Sequence, residues 1–318
     1  MKGLRKYLTP FAPDDSGAVS VLYEAGGLII IIDAGGCSGN VCGFDEPRWE
    51  EKRSAIFSAG LRDMDAILGR DDLLIAKIKK IMQEMETSFI ALVGTPVPAV
   101  IGTDYKGLAR LLEKEVNVPV LPIPTTGVGL YDVGIEKALT ALVKRFADTK
   151  VTQKTIGVLG FTPLDYPWPK NPAYNYYDTV EEVASCGSLT KNYVASMAGL
   201  KAARYLEKHY GIPYVIGYPD DLYPDITGEK VLAITTQAIG LDLRKKCPSL
   251  TIGSYFMMKK DYLDDHMVSF QEEDDLINYV HTHHFDTIIA DEAYKEMLDF
   301  SGDYIALPHF ALSGSRLL

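Results

Sequence analysis

The sequence predicts three parallel α/β/α units in series. Two observations carry that expectation. Short apolar, β-branched runs alternate with longer stretches of helical spacing along all 318 residues, which is the signature of parallel α/β layers. Glycine and proline punctuate the joins, and no internal repeat or low-complexity tract breaks the rhythm. A chain of this length buries a real core and fills two or three domains.

The elements follow in order. Asp14-Asp15-Ser16 stand where they cap a first helix over "GAVSVLYEAG", because their side-chain oxygens accept the orphan N–H groups of a first turn. "LIIII" is a buried strand. "RDDLLIAKIKKIMQEME" has the spacing of an amphipathic helix with a capping Asp, and "SFIALVGT" that of a strand. "AVIGTDYKGLARLLEKEV" reads mainly as helix, "VPVLPIPT" as strand and "GIEKALTALVKRF" as helix. These complete a first unit over residues 1–150.

A second unit, residues 151–227, opens with the strand "TIGVLGFT". The proline- and tyrosine-rich "PLDYPWPKNPAYNYYD" predicts an ordered loop. "LTKNYVASMAGLKAARYLEKHY" predicts a helix ending near Gly211, and "IPYVIGYP" a short strand. The third unit, residues 228–318, reads as strand "KVLAITT", helix "QAIGLDLRKK", strand "SLTIGSYF" and helix "EEDDLINYVHTHH". The strands "FDTIIAD" and "YIALPHF" close it.

Bulk properties narrow the function. A formal net charge of -11 excludes a broad electrostatic face for nucleic acid or an anionic membrane. No run approaches the roughly 18 apolar residues of a membrane helix, and the start "MKGLRKYLTPFAPDDSG" has no apolar core of a secretion signal. With only four cysteines, a disulfide framework is not expected. The expected location is the cytoplasm, with the thiols left for packing, metal or redox chemistry.

Several nucleotide and hydrolase motifs are absent. There is no G-x-x-x-x-G-K-[ST], no G-x-G-x-x-G between strand and helix, no G-x-S-x-G and no H-E-x-x-H. "TTGVGLYDVG", Thr125 to Gly134, is the nearest glycine loop. Thr126 and Gly127 there make either a structural turn or a cradle whose N–H groups favour an anion. His281, His283 and His284 close a helix, where an imidazolium meets the negative helix end, so capping is preferred to metal binding. His309 follows a strand, where open α/β sheets bind ligands, and reads equally as a structural histidine.

The cysteines carry the sharpest signal. Cys247 precedes a proline and looks incidental. Cys186 lies in the polar turn "ASCGSLTKN", a setting for a lowered thiol pKa or a ligand contact. Cys37 and Cys42 form C-x4-C in "DAGGCSGNVCGFDEPRW", directly after the buried strand. Two thiolates cannot complete a zinc site or an ordinary iron–sulfur cluster, but two such loops across a two-fold axis supply four. Burial as small hydrophobes is the competing reading.

The order of these motifs resembles the nitrogenase component 1 superfamily, over nearly the whole chain. That superfamily includes molybdenum–iron protein subunits, cofactor-assembly scaffolds, dark-operative protochlorophyllide reductases and a nickel-tetrapyrrole reductive cyclase. "GAVSVLYEAGGLIIIIDAGGC" is similar to the family segment ending in H-G-P-x-G-C, and Cys37 falls on its cluster cysteine. "IALVGTPVPAVIGTDYKGLARLLEKEVNVPVLPIPTTGVGLYDVG" resembles the strand, I-G-D-D turn and glycine loop that follow. "TVEEVASCGSLTKNYVASMAGLKAARYLEKHYGIPYV" resembles the helix and strand beside the family cavity. "GEKVLAITTQ", "FDTIIAD" and "YIALPHF" resemble its third Rossmann-like unit.

Departures accompany the match. Gly94-Thr95-Pro96 stands where the family has its other interface cysteine, so Cys42 becomes the second candidate thiolate. The cofactor-binding cysteine of molybdenum–iron proteins falls near Ala195-Ser196, which argues against nitrogen reduction. The second unit is shortened at the Pro/Tyr loop, and the chain ends just after Gly314, before the family's returning segment.

The resemblance thus implies a shortened, component 1-like chain of three Rossmann-like units from an anaerobic setting, pairing with itself or with a component 1-like sister subunit. It implies an interface [4Fe–4S] cluster on Cys37 and Cys42, fed by a separate ATP-dependent reductase. Thr126, Gly127, Cys186, Ser196 and His309 are expected around a cleft for a substrate, a second metallocofactor or a tetrapyrrole-like ligand. The Tyr166–Tyr177 segment covers that cleft or, the preferred reading, makes a surface or dimer contact. A cofactor-maturation scaffold and a cluster-free small-ligand binding protein are the alternatives.

Overall fold

The run Leu28–Ile32 forms β1, and all five of its residues are buried because helices cover both faces of its sheet. The computed structural model describes residues 5–62 and 71–313. The first sheet holds β1, β2 (Ile56–Ser58), β3 (Ile90–Gly94) and β4 (Val120–Ile123), all parallel, in the order β2-β1-β3-β4. Alternate residues of β1 face opposite layers. Ile29 and Ile31 pack in the core shared with Val19, Leu22, Leu139 and Leu142. Leu28, Ile30 and Ile32 pack with Leu74, Ile78, Leu108 and Leu112. Each such side chain contributes about 1.5–3 kcal/mol on burial, so one strand fastens two layers.

The helix Asp14–Leu22 is buried along its whole length, against the helix Tyr131–Phe146. Two glycines permit the contact. A Cβ at Gly17 would fall on the Tyr131 carbonyl, and one at Gly134 on the Asp14 carbonyl.

The second sheet holds β5 (Ile156–Leu159), β6 (Tyr174–Asn175), β7 (Lys191–Val194) and β8 (Tyr214–Ile216), parallel, in the order β6-β5-β7-β8. Here the structure departs from the sequence expectation. The helix predicted over 189–210 is strand β7, a turn, and a helix only over Leu200–Tyr210. Tertiary pairing overrides helical spacing, because β7 bonds to a strand on each side and the fully buried Asn192 accepts the Tyr177 hydroxyl. Ser196 then starts the next turn by accepting the Ala198 N–H. The Pro/Tyr stretch is largely irregular, as expected, but supplies the edge strand β6. Tyr166, Tyr176 and Tyr177 are buried in the core and are not a lid over a cleft.

The third sheet holds β9 (Val231–Ile234), β10 (Thr251–Ser254), β11 (Met267–Ser269), β12 (Thr287–Ala290) and β13 (Asp303–Ala306). They are parallel in the order β11-β10-β9-β12-β13. Three parallel α/β units are therefore present. Each chain path starts inside its sheet, winds outward, and returns to the other side. The reversals fall between β1 and β3, β5 and β7, and β9 and β12, and in open α/β sheets ligands bind at the carboxyl ends of such pairs. Among the described residues no helix is long and apolar enough to cross a membrane.

Candidate functional site

The C-x4-C loop leaves β1 at the reversal of the first sheet. The buried Asp33 organises it. One carboxylate oxygen accepts the Ser38 N–H at 3.1 Å, at the start of the short helix Cys37–Asn40, and the other accepts the Ser58 hydroxyl at the end of β2. The chain then widens into a π turn, Val41–Asp45, a local form that recurs at functional sites. Cys42 sits on that turn, half-buried. Burial and the nearby Glu46 carboxylate push its thiol up, so without a metal it keeps its proton. Two contacts brace the turn from behind: Ser16 donates to Asp45 at 2.6 Å, and Arg48 bonds Glu46 and the Ser20 carbonyl.

Across the reversal, Gly94-Thr95-Pro96 carries no thiol, and its first position has no room for a side chain. A Cβ at Gly94 would meet the Thr125 carbonyl and Tyr105. Thr95 donates to the Ile32 carbonyl at 2.8 Å, and Pro96 begins the helix Pro96–Val100. Around this edge several large apolar side chains face outward: Phe44 is 72% exposed, Val97 43%, Val100 86% and Val128 81%.

Thr126 and Gly127 follow β4 at the same edge, and the anion they favour is the protein's own. The Thr126 and Gly127 N–H groups donate to the Asp14 carboxylate at 2.9 and 2.7 Å, and Lys137 lies 3.3 Å from it. Asp14 is fully buried. Its role is therefore to hold this loop, and the capping expected of it on its own helix is not made.

The remaining predicted residues separate. Ser196 follows β7 at the carboxyl edge of the second sheet. Cys186 lies before β7, at the opposite end, packed in the core. Burial pushes its thiol up to about 12, the reverse of the lowering that its polar turn suggested. His309 follows β13 and is buried where all three units meet. Its Nε2 lies 2.9 Å from Asp165 Oδ1, which follows β5, and 3.0 Å from the hydroxyl of Tyr131, which follows β4. Tyr131 donates to the same Asp165 oxygen at 2.5 Å. Burial, reinforced by Asp165, raises the phenol far above its ordinary value and keeps it a donor. With the phenolic hydrogen committed to Asp165, Nε2 faces two oxygens and carries a hydrogen itself. Asp165 Oδ2 is buried without a hydrogen-bond partner. Of the histidines at the helix end, His283 makes a capping contact: its Nδ1 lies 2.9 Å from the Tyr279 carbonyl, and its ring stacks on Tyr279.

Sequence reasoning did not single out Tyr131, Asp165 or Asp14 as partners in these contacts. Tyr131 and Asp165 each follow a predicted strand, which was the available signal. Among the described residues no group of three or more His, Cys, Asp or Glu side chains is arranged to hold a metal ion.

A family model for nitrogenase component 1 type oxidoreductases matches residues 17–222, more than half of the chain. The chain belongs to that family. Two curated relatives are nitrogenase iron-molybdenum cofactor biosynthesis proteins NifE. The one from Clostridium pasteurianum is 26% identical over 175 residues, covering 50% of this chain and 38% of its own. The one from Bradyrhizobium diazoefficiens is 26% identical over 179 residues, covering 51% and 33%. The match thus spans about a third of the length of these relatives. Among solved structures, a chain of nitrogenase Cp1 at pH 6.5 superposes with a TM-score of 0.70 at 14% identity, covering 96% of this chain and 87% of that one. Nitrogenase Cp1 at pH 5 gives 0.64 at 15% identity, covering 94% and 83%. These likenesses establish the component 1 fold for the nitrogenase-like chain described here.

Proposed function

We propose that this chain is a cytoplasmic nitrogenase-like iron–sulfur subunit that pairs through the carboxyl edge of its first sheet. Cys37 and Cys42 of each chain hold one [4Fe–4S] cluster between them. The observation that carries this reading is the coincidence of the C-x4-C loop with the outward-facing Phe44, Val97, Val100 and Val128 on one sheet edge. Exposed apolar groups of that kind mark interaction sites, and two cysteines per chain are half of a four-thiolate set. The residues fit the group in donor type and in number. When bound, the cluster would supply one-electron redox chemistry, its potential set by the thiolates, by hydrogen bonds to sulfur and by burial.

The chain has no nucleotide-binding loop of its own, so its electrons come from a separate ATP-dependent reductase. They leave toward a ligand at the carboxyl edges near Thr126, Gly127, Ser196 and His309. Cys186, on the far side of β7, takes no part. The partner is a second copy or a component 1-like sister subunit.

A maturation scaffold is the second reading, favoured by the two curated relatives, which are cofactor biosynthesis proteins. Anoxic purification and reconstitution tests both. About four irons per dimer with broad visible absorption support a cluster. A colourless, iron-free protein overturns both and leaves a cluster-free binding protein. Iron lost in Cys37→Ala but kept in Cys42→Ala removes the two-cysteine arrangement. Turnover with a reductase, against release of an intact metallocofactor to an acceptor protein, separates enzyme from scaffold.

A further inference from the structure

Residues 5–13 leave the first unit and run across the third. Three successive backbone N–H groups, of Lys6, Tyr7 and Leu8, donate to the Glu273 carboxylate at 2.8, 3.1 and 2.8 Å. Glu273 opens the helix Glu273–His283, whose positive end also favours its charge. Partial burial pushes the carboxyl up, but the three N–H groups outweigh it and bring the group below its ordinary value.

The segment is fastened again further along. Thr9 donates to the Leu312 carbonyl and the Ala12 N–H to the Ala311 carbonyl, each at 3.0 Å. The Tyr131 N–H donates to the Ala12 carbonyl at 3.0 Å, and Pro13 bridges Leu130. Leu8, Phe11 and Ala12 are buried, and the Arg5 guanidinium lies 3.6 Å from the centre of the Phe11 ring.

One aromatic ring separates this segment from the three-unit junction. Phe11 packs 5.1 Å from Phe256, which meets Tyr131 edge-on at 5.2 Å and His309 at 4.9 Å. Ala311 and Leu312, which the segment grips, stand two and three residues beyond His309.

We propose that residues 5–13 form a strap, latched on Glu273, that keeps the junction of the three units shut. Lifting it opens the buried Tyr131–Asp165–His309 group to solvent or ligand. The proposal stands on these contacts alone and holds whether or not a cluster is bound. Local openings of this kind occur without global unfolding. A simple packed tail would also bury Phe11, but its release would leave the junction untouched.

Amide hydrogen exchange and diethylpyrocarbonate labelling of the full chain, read peptide by peptide, decide between them. In Glu273→Ala, exchange in residues 6–12 and in 307–312 rises together, by about tenfold or more given three lost charge-assisted bonds. His309 gains reactivity in step. His209, His266, His281, His283 and His284, already exposed, serve as unchanged controls. Faster exchange in 6–12 with 307–312 and His309 still protected overturns the strap, and so does an arm whose exchange does not change. Should Glu273→Ala lose its near-UV circular dichroism, Glu273→Gln, which keeps the shape and one acceptor oxygen, is read by the same two outcomes.

Discussion

The Gly127 N–H donates to the Asp14 carboxylate across 2.7 Å, joining the glycine loop after β4 to the first turn of the most buried helix. The Thr126 N–H and Lys137 share that carboxylate. Removing a buried acceptor leaves its donors desolvated, at about 1–3 kcal/mol each. Asp14→Ala therefore lowers stability by about 3 kcal/mol or more, and Asp14→Asn, which keeps one acceptor oxygen, by less. The urea midpoint measures this. An unchanged midpoint in Asp14→Ala would show that the loop does not depend on the carboxylate.

The same helix depends on Gly134. Its missing side chain lets the helix Tyr131–Phe146 approach the Asp14 carbonyl directly. Backbone cannot move aside as a flexible side chain can, so Gly134→Ala forces the two helices apart. A cost of about 3 kcal/mol, the upper end for overpacking, is expected despite the better helix propensity of alanine. A thermal melt showing stabilisation, as at an exposed helical glycine, would contradict the close contact.

At the three-unit junction, Tyr131 donates to Asp165 Oδ1 in a buried setting, and His309 Nε2 lies within bonding distance of both. Tyr131→Phe removes a donor from the buried Asp165, and Asp165→Leu removes the acceptor of the Tyr131 hydroxyl. The double variant leaves neither of this pair facing the gap, and His309 loses one oxygen partner in each single variant. The double is therefore milder than the sum of the singles by about 1–3 kcal/mol. Denaturation of the four proteins gives the coupling directly. Additive costs would mean that the phenol and the carboxylate act independently.

How much of this was legible in the sequence differs by element. Strands with a long apolar run, such as Leu28–Ile32, announce themselves because both faces are buried and every residue is apolar. The edge strands β2, β6 and β11 have two or three residues each, too few for any period to show. Strand β7 was hidden for another reason. Its Lys-Asn-Tyr-Val places a polar Asn in the core, where its amide oxygen accepts the hydroxyl of Tyr177 from outside the strand. Likewise the glycine loop at Thr126 and Gly127 signalled an anion, while the identity of that anion, a carboxylate more than a hundred residues earlier, is a tertiary fact. The C-x4-C spacing of Cys37 and Cys42 was readable locally; the outward-facing apolar groups around that loop became apparent only when three strand ends came together.

Two buried carboxylates make the stability of this fold depend on mild acid. Burial, with Asp165 adding to it, raises Asp132 from its ordinary 3.8 to about 6. Burial and the neighbouring Asp14 do the same for Asp15, also to about 6. A raised carboxyl binds its proton more tightly in the folded chain than in the unfolded one. Between about pH 4 and pH 6 the unfolded state thus holds fewer protons, and stability falls as pH rises through that window. Each tenfold difference in proton affinity is worth about 1.4 kcal/mol, so each group contributes a loss of about 2–3 kcal/mol. Asn at position 132 keeps an oxygen for the Met257 N–H that Asp132 accepts at 2.6 Å, but has no proton to lose. Asp132→Asn should therefore flatten the decline by about 2–3 kcal/mol between pH 4 and 7. Urea midpoints measured across that range test it, and a slope identical to that of the parent chain would show that Asp132 ionises freely in the fold.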